Sequence, residues 1–169
     1  MSAFRRSDVA SGFSGTGVVS GFSRTGVVSG FSRTVTRMAH IVSFRTSKFD
    51  VSAETPNPVN PIAGQSVLTW LRAELVKAQY TATEPDTEDW GWYMDVTGSD
   101  GSYLVGASAD ADASTPDVEW VIQVHRHRSM SDKLFGRNKM AVDDPLAALI
   151  ERMVRAVRQI SDVSIERET

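Results

Sequence analysis

The stretch WYMDVTGSDGSYLVGA, residues 92–107, decides the fold. Trp92, Met94 and Val96 alternate with Tyr93, Asp95 and Thr97, so a strand here shows one apolar face. Tyr103, Val105 and Ala107 repeat the alternation after Ser99-Asp100-Gly101, and Asp-Gly between alternating runs is a strong hairpin signal. A two-residue loop at Asp100-Gly101 sets Val96 opposite Val105 and Met94 opposite Ala107. Any even loop keeps the apolar sets on one face. The centre of the chain is therefore predicted to be an antiparallel hairpin with one buried side.

Downstream, a polar loop from Asp110 to Asp117 leads to a further strand with Val118, Trp120, Ile122 and Val124 inward and Glu119 and Gln123 outward. A basic connector, Arg126 to Met140, follows. Asp144 then Pro145 is the expected start of a helix, cap residue before proline. Leu146, Leu149, Ile150, Met153, Val154 and Val157 form its stripe, with Arg152, Arg155 and Arg158 on the other side. Val163 and Ile165 suggest a closing strand.

Upstream, Glu84 to Asp89 reads as an acidic loop. Before it, Val67, Leu68, Leu71 and Leu75 mark one face of a helix from about Gly64 to Gln79. Pro56, Pro58 and Pro61 make a tether that is neither helix nor inner strand. Ile41, Val42, Phe44, Phe49 and Val51 read as a first strand interrupted by polar Arg45 to Lys48. The expected fold is α+β: a mainly antiparallel sheet of about five strands, ordered β-α-β-β-β-α-β, with two amphipathic helices on one face.

Residues 2–37 are four copies of a nonamer: SAFRRSDVA, SGFSGTGVV, SGFSRTGVV and SGFSRTVTR. Copies two and three differ only at Gly15 against Arg24. Packing would place each copy in different surroundings, so near identity points to recent duplication rather than a core. A targeting helix is disfavoured by six glycines, each costing roughly 1 kcal/mol relative to Ala. A calcium-binding repeat needs an aspartate per turn, and only Asp8 is present. The segment 1–37 is read as a flexible, dispensable leader, and 38–169 as a single small domain.

The repeats carry net +4, leaving residues 38–169 at −7 within an overall −3. An acidic body argues against nucleic acid as partner, since phosphate neutralisation needs clustered Lys and Arg. Cysteine is absent, which excludes disulfides, thiolate zinc and a cysteine nucleophile and suits a cytoplasmic setting. No apolar run approaches the ~18 residues of a membrane span, so no membrane partner is expected.

Three constellations carry possible chemistry. His125 and His127 stand two apart, so alternation turns both imidazoles to one side, as two ligands of one metal require. His40, Asp95 or Glu119 would have to supply a third. Their parity places them away from Trp120 and Ile122, and a metal is not the favoured reading. Arg126, Arg128, Lys133 and Arg137 make the connector basic, suited to anions or an acidic partner. Glu88 and Asp89 precede Trp90, a candidate surface aromatic. Trp and Arg anchor many interfaces, and patches of opposite sign give specificity.

The expectation is a non-enzymatic protein-interaction module of accessory, regulatory or toxin-neutralising type. Its partner is a protein, and it needs no cofactor. Glu88, Asp89, Trp90, Arg126, Arg128, Lys133 and Arg137 form the contact surface. The alternative is a metal- or anion-dependent enzyme or ligand-binding protein using His125 and His127.

Overall fold

In the computed structural model the hairpin forms from β4 (Gly91–Gly98) and β5 (Gly101–Ala109), antiparallel and with Trp92, Met94, Val96, Tyr103, Val105 and Ala107 all buried on one side. The structure describes residues 39–109, 117–129, 132, 134–136 and 139–167. The nonamer repeats lie outside the described residues, and with them the expected leader.

The register of the hairpin differs from the expected one by two residues. Val96 faces Tyr103, Met94 faces Val105 and Trp92 faces Ala107, so the loop is Ser99-Asp100. Gly101, at φ 140°, begins the return strand in backbone space open to glycine. The cause is tertiary. The Asp100 carboxylate accepts hydrogen bonds from the Tyr80 and Tyr103 hydroxyls, and its carbonyl accepts one from Arg126. These bonds hold Asp100 at the corner, and because the shift is even the apolar faces still match.

The remaining long strands are β1 (Ala39–Thr46), β6 (Val118–Arg126) and β7 (Ser161–Arg167). Two short strands, β2 (Thr81–Ala82) and β3 (Asp86–Glu88), both pair with β4. All described pairings in the sheet are antiparallel, in the order β2-β4-β5-β6-β1-β7. Among the described residues the sheet has seven strands where about five were expected, and the acidic loop is itself partly an edge strand. The pairings of β2 and β3 with β4 carry no apolar period because they need only backbone. The first strand ends at Thr46; Phe49 leaves it and packs 5.6 Å from both the Trp70 and Trp120 rings.

Two described helices complete the core: α1 (Gln65–Lys77) and α2 (Pro145–Ala156). α1 buries Val67, Leu68, Leu71 and Leu75, the stripe read from spacing. α2 buries Leu146, Ala147, Ile150 and Val154, while Leu149 and Met153 are only half-buried. Its apolar face is therefore turned slightly toward Ala147 relative to expectation. Both stripes join one cluster with the inward residues of the strands. Among the described residues no helix is long and apolar enough to cross a membrane.

Two carboxylates fix the helix starts. Asp144 Oδ1 accepts from the backbone N–H groups of Leu146 and Ala147 at 3.0 and 3.3 Å. α1 has Gly64 as its N-cap, which has no side chain to offer, and borrows a cap from a distance. Glu54 accepts from the N–H groups of Gly64, Gln65 and Ser66 at 2.7–3.1 Å and from the Ser66 hydroxyl. Glycine is required at position 64 because a Cβ there would collide with the Ala107 carbonyl.

Candidate functional site

The acidic edge begins with backbone. β3 pairs Asp86 with Tyr93 and Glu88 with Gly91, leaving Asp86, Glu88 and Asp89 exposed. Gly91 sits at φ 143°, and a Cβ on it would lie 2.7 Å from the Ala107 carbonyl oxygen. Only glycine permits this approach, and it sets the direction in which Trp90 leaves the sheet.

Trp90 turns back across the outer side of the sheet, opposite the helices. Its ring lies over Gly106, where a Cβ would run into it, and is 6.4 Å from the Tyr93 ring. Trp90 and Tyr93 are both half-buried. The Tyr93 phenol is pushed above its ordinary value by burial first, then by the carboxylates of Asp86, Glu88 and Asp95.

The proline-rich tether holds this segment in place. Asn57 is buried; its Nδ2 donates to the carbonyls of Glu88 at 3.3 Å and Gly91 at 3.1 Å. Its Oδ1 accepts from Val59 and Asn60 N–H, a local turn that aims the amide. Asn60 Nδ2 donates to the Asp89 carbonyl at 2.7 Å. Three carbonyls flanking Trp90 are thus clamped by two asparagines from a distant part of the chain. Asn between prolines reads as a turn, so the sequence gives no sign of this latch.

The basic residues are dispersed. Arg126 turns to the inner side: its Nη1 is 3.3 Å from Asp144 Oδ2, and its guanidinium lies 5.4 Å from the centre of the Tyr103 ring. It therefore does not join Trp90, Glu88 and Asp89. Arg128 is half-buried and donates to the Asp132 carbonyl at 3.0 Å. Lys133 and Arg137 lie outside the described residues.

Arg126 belongs to a polar network with Tyr80, Asp100, Tyr103 and Asp144. The Tyr80 hydroxyl donates to Asp100 Oδ2 at 2.9 Å, and Tyr103 shares its proton between Asp100 Oδ2 at 3.1 Å and Asp144 Oδ2 at 3.3 Å. Burial foremost, then the hydrogen bond to Asp100, pushes the Tyr80 phenol up to about 12. Tyr103 is raised further, by burial and then Asp144, with Arg126 opposing. Phenols held protonated this firmly donate hydrogen bonds and tie elements together; they do not act as bases near neutrality.

His125 lies on β6 and His127 one residue past its end, and His127 meets Asp95 on the side away from the buried residues of the strand. His127 Nε2 donates to Asp95 Oδ1 at 2.9 Å, and His125 Nε2 lies 3.5 Å from Gln123 Oε1. Of the named third ligands, Asp95 reaches His127, whereas His40 is buried on the other side against the Ala141 carbonyl and Glu119 meets Arg45. Among the described residues no group of three His, Asp or Glu is placed to hold a metal ion.

No family model, curated protein or solved structure matches this chain.

Proposed function

We propose that this chain is a non-enzymatic protein-interaction module, and that its contact surface is the acidic edge Asp86–Asp89 with Trp90 and Tyr93. The observation that carries the reading is the asparagine latch. A solvent-facing acidic turn needs no buried amide to fold, yet Asn57 and Asn60 fix the carbonyls of Glu88, Asp89 and Gly91. Holding an aromatic and its flanking carboxylates in one arrangement removes ordering cost at the moment of binding. The partner this favours is a protein presenting basic side chains around an apolar recess, because opposite charge steers encounter and the indole supplies the anchor. An accessory, regulatory or toxin-neutralising role fits such a module. The alternative, catalysis or ligand binding through His125 and His127, has no third metal ligand in support among the described residues.

Affinity capture with the wild-type chain, Trp90→Ala and Asp89→Lys tests the reading. A partner recovered by wild type should be lost or weakened at least tenfold with either variant, while both variants keep the wild-type melting temperature. Recovery of the same partners at the same affinity by all three proteins would discard this surface.

A further inference from the structure

The nonamer repeats join cations to aromatics in a chain whose body is acidic. Three copies set an arginine two residues after a phenylalanine, as Phe4 and Arg6, Phe22 and Arg24, and Phe31 and Arg33. Residues two apart in an extended chain point to one side. The acidic edge offers the complement. Asp86, Glu88 and Asp89 are exposed and join no ion pair among the described residues, and the Trp90 and Tyr93 rings stand half-buried beside them. The repeats carry net +4 against −7 for residues 38–169.

We propose that residues 29–37, the fourth nonamer, dock on the acidic edge of the same molecule, with Arg33 against Asp86 and Glu88 and Phe31 against the two rings. So placed, they occupy the surface proposed above for a protein partner, on which this inference rests, and compete for it. The sheet supplies a short path. Ala39 pairs with His125, His125 with Leu104 and Leu104 with Asp95, so the chain enters the outer face in one row with Asp95. Three strand spacings separate the two, roughly 14 Å. Tyr93, paired with Asp86, is two residues away along β4. Arg33 and Phe31 precede Ala39 by six and eight residues, a reach of roughly 20 and 27 Å in extended chain. Neither described helix stands in the way, since both pack on the inner face. Ala39 turns to the outer side with His125, outside the core cluster, and yet is 2% exposed, so water is already excluded where the row begins. A tethered segment acts at an effective concentration on the order of millimolar, so a contact too weak to last between separate molecules holds within one. No share in the core is required of it.

The test uses the full chain, which has no native cysteine, so a spin label on Ser32→Cys is unique. It should broaden the amide signals of Glu88, Asp89 and Tyr93 more than those of Glu166 and Arg167. The latter pair with the start of β1, so an undirected segment would broaden them most. With Arg33→Asp and Arg37→Asp together the preference should vanish, as it should at high salt. The same two substitutions, made without the label, should raise recovery of a partner captured through Trp90 at least threefold. Broadening centred on Glu166 and Arg167 overturns the proposal. So does broadening that fades on dilution, which would place the segment on a second molecule, or that survives the two substitutions. Equal capture with and without them overturns it as well. Docking is read without any partner, so a docked segment with no partner captured would strike the earlier reading and leave this one standing.

Discussion

Asp144 is fully buried, and its two oxygens have separate tasks. Oδ1 caps α2, while Oδ2 receives the Arg126 guanidinium and the Tyr103 hydroxyl. The cap is written in the sequence as Asp before Pro; the ion pair is not, because the end of β6 meets the start of α2 only in the folded chain. Asp144→Ala removes both and should cost about 3 kcal/mol or more, since a missing cap adds to a guanidinium left without its counter-charge. Asp144→Asn keeps the cap oxygen and should cost distinctly less in urea denaturation. Equal losses would assign the whole effect to the charge. The tyrosines of the same network give a pH dependence. A phenol that holds its proton more tightly in the folded chain than in the unfolded one contributes stability below the unfolded value, and that contribution is lost as pH rises through the folded one. With Tyr80 moving from 10.0 to about 12, stability should decline across that interval, and Tyr80→Phe should make the decline shallower. Identical alkaline slopes for the two proteins would rule Tyr80 out as a source.

At the scale of elements, periodicity was legible wherever a face is buried. The α1 stripe and the inward sets of β4, β5 and β6 match the spacing of their apolar residues. What escaped were features fixed by partners distant in sequence. β2 and β3 have no apolar alternation, because they are edge strands completed by backbone alone. The hairpin corner moved by two residues because Tyr80, Tyr103 and Arg126 all converge on Asp100. The start of α1 is the sharpest case: Gly64 is a poor cap by itself, and Glu54 replaces the missing side chain from ten residues upstream. Glu54→Ala should therefore destabilise by about 1–2 kcal/mol, as loss of a helix cap does, with Glu54→Gln intermediate because one oxygen and no charge remain. Thermal melts of the two variants check this; a silent Glu54→Ala would mean water caps the helix equally well.

For the whole molecule, the α+β class and the placement of both apolar stripes followed from pattern, whereas the candidate surface did so only in part. Glu88 and Asp89 could be singled out by their charge, but alternation alone would set Trp90 on the same side as Trp92; it is Gly91 at φ 143° that turns Trp90 to the outer face. Arg126 was grouped with them by sequence proximity to other basic residues, yet strand alternation sends it to the opposite side, against Asp144. Asn57 carried no signal at all, since its role depends on a turn that brings it under Gly91.

The placement of β1 between β6 and β7 has a consequence for how the protein is made. Both neighbours of this strand are made long after it. During synthesis its apolar residues must wait, sheltered or exposed, while the central hairpin can already close on its own. The sheet can be completed only after β7 has cleared the ribosome, so β1 stays unpaired through most of the synthesis that separates it from its neighbours.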